Sequence, residues 1–286
     1  MTALRRVSMA YNNVYVVDGS EGRVLIDTGP DYRGAREVLE AELADGLPEV
    51  VIATHGHHDH AGLGRWWQAR GAPVAIGAAD RASAMRPHLL DDGEFAAMRA
   101  YVEGTGAPAE VVAEAVAGLE RRRSWTRLVA TKPDYPPAGR VPRWPTGLRY
   151  EAFEAAQAVA GDTPVAGVEV WVCPGHTPGN LVVIEPNEGW LFSGDQLLPD
   201  ITPTPGIQFV AVGEGYERFP SLPAFVRSLK RLQGRDFGRC FPGHGEPFDD
   251  VRGRIAANLG GIHARSERVL AELRTGGPGT VYGLGQ

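Results

Sequence analysis

The sequence predicts an α+β protein of one domain, residues 1–286, with a largely helical insertion. Strand and helix signals alternate over the first 80 residues. Strand signals return from residue 168 onward, and several of these strands end beside histidine or aspartate. Residues 79–147, which lie between the two parts, have a different composition. A chain of this length accommodates one large domain with an insertion.

Regular elements are predicted throughout the first 80 residues. Short apolar runs bounded by turn residues indicate strands, and apolar residues at helical spacing indicate helices. The predicted strands are 5–9, 13–17, 23–26, 49–53 and 73–76. The predicted helices are 31–43, which Gly46 and Pro48 terminate, and 62–70.

Residues 79–147 are interpreted as an insertion that lies over the core and acts as a lid. The segment 79–123 is rich in alanine and charged residues and is predicted to be mainly helical. Residues 131–147 are dense in proline, which fits neither a regular helix nor a central strand. A loosely structured return segment is therefore expected.

The last part of the chain returns to regular elements. The predicted strands are 168–173, 180–185, 190–193 and 238–241. The predicted helices are 220–232 and 249–275. Glycine and proline cluster after the last helix, so residues 276–286 are expected to form a flexible tail.

The composition is that of an ordinary globular protein, with 43% apolar residues, 22% charged residues and a formal net charge of −6. This acidic balance argues against a general nucleic-acid or membrane-surface role. The N-terminus lacks the apolar stretch of a secretory signal, and no run reaches the roughly 18–20 apolar residues that cross a bilayer. A cytoplasmic location is expected, with Cys173 and Cys240 both reduced.

Histidine is concentrated in one loop that directly follows the apolar run 50–53. Potential metal ligands in this loop are His55, His57, Asp59 and His60. Imidazole and carboxylate are the ligands that zinc and similar divalent ions prefer. Four ligands within six positions cannot all reach one ion in good tetrahedral geometry. The spacing therefore indicates a site for two metal ions.

Three later loops place further ligand candidates at strand ends. His176 and His244 each follow a Pro-Gly pair, and Asp195 ends the strand that contains Phe192. Glycine and proline fix the conformation of such loops. Rigid strand ends can hold ligands to within tenths of an ångström. Each motif alone is weak evidence, but together the four loops are specific.

With these motifs in this order, the chain resembles the metallo-β-lactamase-fold hydrolases over residues 1–265, since the H-x-H-x-D-H signature is intact. The resemblance implies a four-layer αβ/βα sandwich with two metal ions at one edge. Zinc is expected, with iron or manganese as alternatives. The implied ligands are His55, His57 and His176 for the first ion, Asp59, His60 and His244 for the second, and Asp195 between both.

Catalysis in such a site starts from a water molecule that two ions about 3.5–4 Å apart share. The two ions lower the pKa of this water toward neutrality. The hydroxide would attack an electrophilic carbonyl or phosphorus atom. Asp59 and Asp195 are the predicted catalytic residues, and Asp59 would also orient the hydroxide. Asp27 is a candidate for orienting a ligand histidine, with capping of the following turn as the alternative. His58 is interpreted as a solvated or hydrogen-bonded bystander.

Candidate substrate-binding residues lie in the insertion, which is basic around Arg123. Charge at a helix C-terminus and a solvated face explain such arginines structurally. A clamp for an anionic substrate, such as a CoA ester or a phosphodiester, is the alternative. Trp125, Tyr135 and Trp144 could line an apolar pocket or simply dock the insertion onto the core.

The predicted function is hydrolysis of an acyl bond in a small molecule: a thioester, a lactone or a related ester. Residues 194–203 resemble the branch with acyl hydrolases and endoribonucleases, although Gln196 stands where histidine often follows the bridging aspartate. The winged helix that often follows in that branch is not recognised here. The alternatives are a metal-dependent phosphodiesterase or endoribonuclease, and a non-hydrolytic metal-binding or redox protein. No nucleic-acid or membrane partner is expected, and the oligomeric state is open, a homodimer included.

Overall fold

The computed structural model describes residues 2–10, 12–86, 91–131, 147–277 and 279–285, with only the backbone of 125–131. Its first sheet has six strands in the order β1-β2-β3-β4-β5-β6. Strands β1 to β3 are antiparallel, and β3 to β6 are parallel. The strands are Ala3–Ser8, Asn13–Gly19, Gly22–Ile26, Val50–Ala53, Val74–Gly77 and Gln157–Val159.

The second sheet has five strands in the order β13-β10-β9-β8-β7, and only the β13–β10 pair is parallel. Strands β11 and β12 form a separate antiparallel hairpin. The strands β7 to β13 are Thr163–Val165, Val168–Val172, Leu181–Glu185, Trp190–Gly194, Gln208–Val212, Gly215–Phe219 and Arg239–Pro242.

Nine α-helices are described, and a 3₁₀ turn over Ala78–Asp80 follows β5. Helices α5 and α6 belong to the predicted insertion. The helices α1 to α9 are Ala35–Glu42, His58–Ala61, Gly64–Ala69, Arg81–Met85, Asp92–Glu103, Ala109–Thr131, Ser221–Gln233, Val251–Gly276 and Val281–Leu284. Within the described residues, none of them is both long enough and apolar enough to span a membrane.

Three buried cores show that the molecule has four layers. Tyr15 and Ile52 of the first sheet pack with Val183 and Phe192 of the second sheet, so the sheets face each other. The outer face of the first sheet packs against α1 and α3. The outer face of the second sheet packs against α7 and α8. The predicted four-layer αβ/βα sandwich is therefore confirmed.

Hydrogen bonds between the two sheets bring their ligand-bearing ends together. The amide of Leu181 donates to Thr54 across the interface, at 2.7 Å. The amide of Asn13 also donates across the interface, to Gly243 at 2.8 Å, and at the end of the second sheet the amide of Gly243 donates to Gly194 at 2.9 Å. The loops after β4, β8, β10 and β13 consequently meet at one edge of the sandwich.

The predicted elements are present with shifted ends, and some were missed. The predicted helix 31–43 begins only at Ala35, because Gly34 has a left-handed φ of 93° and residue 31 bridges to residue 149. A second helix, α2, starts inside the histidine loop. The prediction contained none of the strands β6, β7, β11 and β12. The first two have three residues each, which is too short for a periodic signal.

The insertion and the tail are only partly described. Most of the proline-dense return segment lies outside the described residues. The described tail includes α9, and Tyr282 donates from its amide to the carbonyl of Thr105 in the insertion, at 3.0 Å. The lid role of the insertion and the flexibility of the tail stay predictions. Cys173 and Cys240 are free and buried.

Candidate metal centre

The seven predicted ligand side chains come together in three overlapping groups. Within each group the ligand atoms lie within 4.8 Å of one another. His55 belongs to the first and second groups, and His60 to the second and third, so the seven side chains form one cluster. The groups are His55, His57 and His176; His55, His60 and Asp195; and Asp59, His60 and His244.

The local backbone explains why neighbouring ligands point to different groups. After β4, residues 54–57 form an irregular loop, and His57 is extended with φ −70° and ψ 149°. Helix α2 then begins at His58, so Asp59 and His60 lie on a helical turn. The change from loop to helix rotates the later ligands away from the earlier ones.

The first group consists of imidazoles in close contact. Nε2 of His55 lies 2.8 Å from Nδ1 of His57, and Nε2 of His176 lies 3.2 Å from the same Nδ1. Burial lowers the pKa of all three histidines, that of His57 to about 3. Neutral imidazoles whose ring nitrogens face one another fit a shared cation, since a neutral ring has only one N–H to donate.

Asp59, His60 and His244, together with Asp195, are called the second group from here on, and they combine imidazoles with carboxylates. Nε2 of His60 lies 3.5 Å from oxygens of both Asp59 and Asp195. Nε2 of His244 lies 3.3 Å from Asp59 and 3.4 Å from Asp195. Burial opposes protonation of His60, but the carboxylates of Asp27, Asp59 and Asp195 outweigh it and raise its pKa to about 9. The group is thus strongly attractive to positive charge.

Asp195 faces both groups, as a bridging ligand must. Its Oδ1 lies 3.5 Å from His60, and its Oδ2 lies 3.5 Å from His176. Burial would raise its pKa, but His60, His244 and His176 outweigh burial and lower the pKa to about 2. Oδ1 is buried without a hydrogen-bond partner among the described residues. Buried carboxylates are normally paired or bound to metal, so this residue fits a metal ligand.

Asp27 orients histidines in both groups. Its Oδ2 accepts a hydrogen bond from Nδ1 of His60 at 2.7 Å. Its Oδ1 accepts from the amide and the hydroxyl of Thr54, both at 2.8 Å. Since that hydroxyl proton is used, Thr54 Oγ1 accepts from Nδ1 of His55 at 3.1 Å. With metal ions bound, both histidines would present an unprotonated Nε2 to the centre, the arrangement of metal-binding histidines.

Residues that the sequence interpretation missed hold the ligand loops in place. Asn12 donates to the carbonyl of Asp59 at 2.5 Å. Asn13 and Tyr15 donate to the carbonyl of Pro242, at 3.1 and 2.8 Å.

Asp80 is another missed residue, and its carboxylate accepts hydrogen bonds from both loops that carry the first group. Burial raises the pKa of Asp80, and its hydrogen bonds oppose that shift. Its position directly after β5 could have pointed to this edge, because neighbouring parallel strands end at the same edge.

Of the four predicted substrate residues, only Arg123 has a described side chain. Arg123 forms an ion pair with Asp92 and lies over the ring of Phe95, with its guanidinium carbon 4.9 Å from the ring centre. These contacts join α6 to α5. The side chain of Trp125, and residues Tyr135 and Trp144, fall outside the described part of the chain. Substrate binding by these four residues stays a prediction.

The bystander His58 is outside the three groups, but it is not solvated, since its side chain is only 16% exposed. Burial lowers the pKa of His58, and the charge of Arg122 in α6 adds to this effect.

The missed β11–β12 hairpin also reaches the centre. Gln208 in β11 donates to the carbonyl of His176 at 2.6 Å, and Phe209 packs near Tyr101 of α5. Insertion and hairpin together flank the centre.

Known proteins share both the sequence pattern and the fold. The family model described as the metallo-beta-lactamase superfamily matches residues 9–244. A probable metallo-hydrolase of Bacillus subtilis, YqjP, is 25% identical over 90% of this chain and 74% of its own length. The atrochrysone carboxyl ACP thioesterase AacuM of Aspergillus aculeatus is 22% identical over 91% of this chain. The chain spans 59% of that thioesterase.

A solved structure covers almost the whole chain. The metallo-beta-lactamase family protein from Thermus thermophilus has a TM-score of 0.67 and 26% identity. The match covers 99% of this chain and 85% of that protein. The match is therefore not confined to residues 9–244, which the family model covers.

Proposed function

The chain belongs to the metallo-β-lactamase superfamily, and from this membership we propose that it hydrolyses an acyl bond of a small molecule with the help of two divalent metal ions. A thioester is the first candidate and a lactone the second. The resemblance found in the sequence is confirmed by the match over residues 9–244. The chain is thus a member of a family of metal-dependent hydrolases.

The observation that carries the proposal is the meeting of three imidazole and carboxylate groups that share members. We assign His55, His57 and His176 to the first ion. Asp59, His60 and His244 are assigned to the second, and Asp195 to both. These are the ligand types that zinc prefers, and iron or manganese would fit the same set.

Two bound divalent ions would supply a shared water of near-neutral pKa and would polarise the scissile carbonyl. The residues of the chain then have separate tasks. Asp195 holds the two ligand groups together through its two oxygens. Asp59, 13% exposed and 3.3 Å from His244, would orient the attacking oxygen.

The direction of substrate approach follows from exposure. His55 and His60 are fully buried, whereas the side chain of His244 is 30% exposed. The open side of the centre is therefore the side of His244, and the substrate carbonyl must reach the ligands from there. His55 and His60 form the closed end, where water is excluded and electrostatic interactions are strong.

Two considerations favour an acyl bond. A relative in this family carries the name of a carboxyl ACP thioesterase. The net charge of −6 is unfavourable for binding a polyphosphate backbone such as that of RNA.

The two free, buried cysteines suit the reducing cytoplasm, which we propose as the location of the protein.

The test is a comparison of three substrate panels with the metal-loaded protein: acyl thioesters, lactones and a fluorescent RNA. We expect thioester hydrolysis that a chelator abolishes and added zinc restores. His57→Ala is the matched inactive control. Cleavage of RNA alone would overturn the acyl assignment. Undiminished activity in a metal-free sample would overturn the metal-dependent mechanism, and metal binding without any hydrolysis would favour a binding or redox role.

A further inference from the structure

We propose that Asp80 is a positioning residue that holds the two loops of the first metal group at their working distance. The inference rests on the proposed function, since it takes His55, His57 and His176 as ligands of one ion. It adds that Asp80, unlike Asp27, supports only the loops of the first metal site among the described residues. The first site can then be weakened separately from the second.

Asp80 receives hydrogen bonds from both loops. Its Oδ2 accepts from the amide of Gly56 at 3.0 Å and from the hydroxyl of Thr177 at 2.5 Å. Its Oδ1 accepts from the amide of Gly179 at 2.6 Å. The residue is only 2% exposed. Among the described residues, its side-chain hydrogen bonds come from these two loops alone.

Two of the three donors are direct neighbours of ligands. Gly56 lies between His55 and His57, and Thr177 follows His176. A shift of either loop away from Asp80 would therefore move a ligand nitrogen. Because the ligand loops come from β4 in one sheet and β8 in the other, Asp80 links the two sheets at the centre.

The backbone around Asp80 is fitted to this contact. A Cβ added at Gly179 would lie 2.5 Å from the amide nitrogen of Asp80 and 2.8 Å from its Cγ. A Cβ added at Gly56 would lie 2.6 Å from Cβ of Ser83, on the helix that follows Asp80. Glycine at both positions allows the loops to approach the carboxylate closely.

The second group has a different anchor. Asp27 accepts a hydrogen bond from His60 at 2.7 Å. No described hydrogen bond joins the side chain of Asp80 to His60, Asp59 or His244. Loss of the Asp80 carboxylate should therefore loosen the first site and leave the second site intact.

The test measures metal binding by wild type and Asp80→Asn, with zinc titrated against a chromophoric chelator. The substitution replaces one carboxylate oxygen, which accepts a hydrogen bond, with an amide NH2 group, which donates. This donor would face an N–H group that has lost its acceptor. We expect one of the two zinc equivalents to bind about 10- to 100-fold more weakly, and the other to be unchanged. The d–d spectrum of the cobalt-substituted protein should lose the contribution of one site. This readout needs no substrate.

Three further variants separate positioning from general destabilisation. Glu185→Gln is the matched control, because Glu185 is also buried and also accepts three hydrogen bonds, at the far end of β9. It should lower stability without changing metal binding. Thr177→Val should weaken the first site less than Asp80→Asn does, and Thr177→Ser should restore it. Thr177→Val carries the test if Asp80→Asn does not fold.

The results distinguish this inference from the proposed function. Wild type that binds no metal would overturn both. Wild type with two tight equivalents, together with unchanged binding in folded Asp80→Asn and Thr177→Val, would overturn only the positioning role. Equal weakening of both equivalents would also overturn it, because the two sites would then share their anchors.

Discussion

Asp27→Asn is expected to weaken the second metal site through the tautomer of His60. Asparagine keeps one oxygen, which remains on Thr54, and turns its amide toward Nδ1 of His60. The ring then accepts at Nδ1 and carries its proton on Nε2. Since Nε2 is the nitrogen that faces Asp59, Asp195 and His244, the proton occupies the position where a metal ion would bind.

The size of the effect follows from the bond that is lost. A hydrogen bond to a charged group contributes about 1.5–3 kcal/mol, which corresponds to roughly a 10- to 150-fold change in an equilibrium constant. The 10- to 100-fold loss of metal affinity that is typical for such partners agrees with this range. We therefore expect the second zinc equivalent to weaken by one to two orders of magnitude, with a similar fall in kcat/KM.

Asp27→Ala is the control, because the backbone conformation of Asp27 affects the stability of the two variants differently. Its φ is 65°, in the left-handed region that asparagine tolerates and that costs most other residues about 1–2 kcal/mol. Asp27→Ala should therefore be less stable in urea unfolding than Asp27→Asn. Chelator competition measures the metal affinities of both variants. A second equivalent within about twofold of wild type in Asp27→Asn would refute the reasoning.

Three other expectations concern the bridge, the thiols and a buried hydroxyl. Asp195→Ala should lose hydrolysis and bound metal together, measured by elemental analysis and thioester turnover, and full metal content would contradict the bridging role. Burial raises the pKa of Cys173 and Cys240 to about 12, so both thiols stay protonated near pH 7. They should react with a thiol reagent only in urea, and rapid labelling of the native protein would contradict their burial. Tyr15→Phe should lower the free energy of unfolding by about 1 kcal/mol because Pro242 loses a donor, and unchanged urea unfolding would contradict that estimate.

The strands that can be predicted from the sequence are those with a clear run of apolar side chains. Strands β4 and β5 are buried along their whole length, so they read as continuous apolar runs. The β11–β12 hairpin was missed although it has a signal, the Gly213-Glu214 turn that joins the two strands. Its exposed strands depend on contact with α5, where Phe209 lies near Tyr101. Such a contact is invisible along the chain.

The ligand types, their order and their places at strand ends can be predicted from the residues alone, because metal preference and strand patterning are local properties of residues. Which ligands meet, and what holds them, depends on how the two sheets pack. His60 and His244 are 184 positions apart, and only the packing of the two sheets brings their nitrogens to 3.4 Å. The supporting roles of Asp80 and Asn12 depend on backbone amides and carbonyls of distant loops. Every residue carries these groups, so the sequence cannot mark the particular ones that will be used.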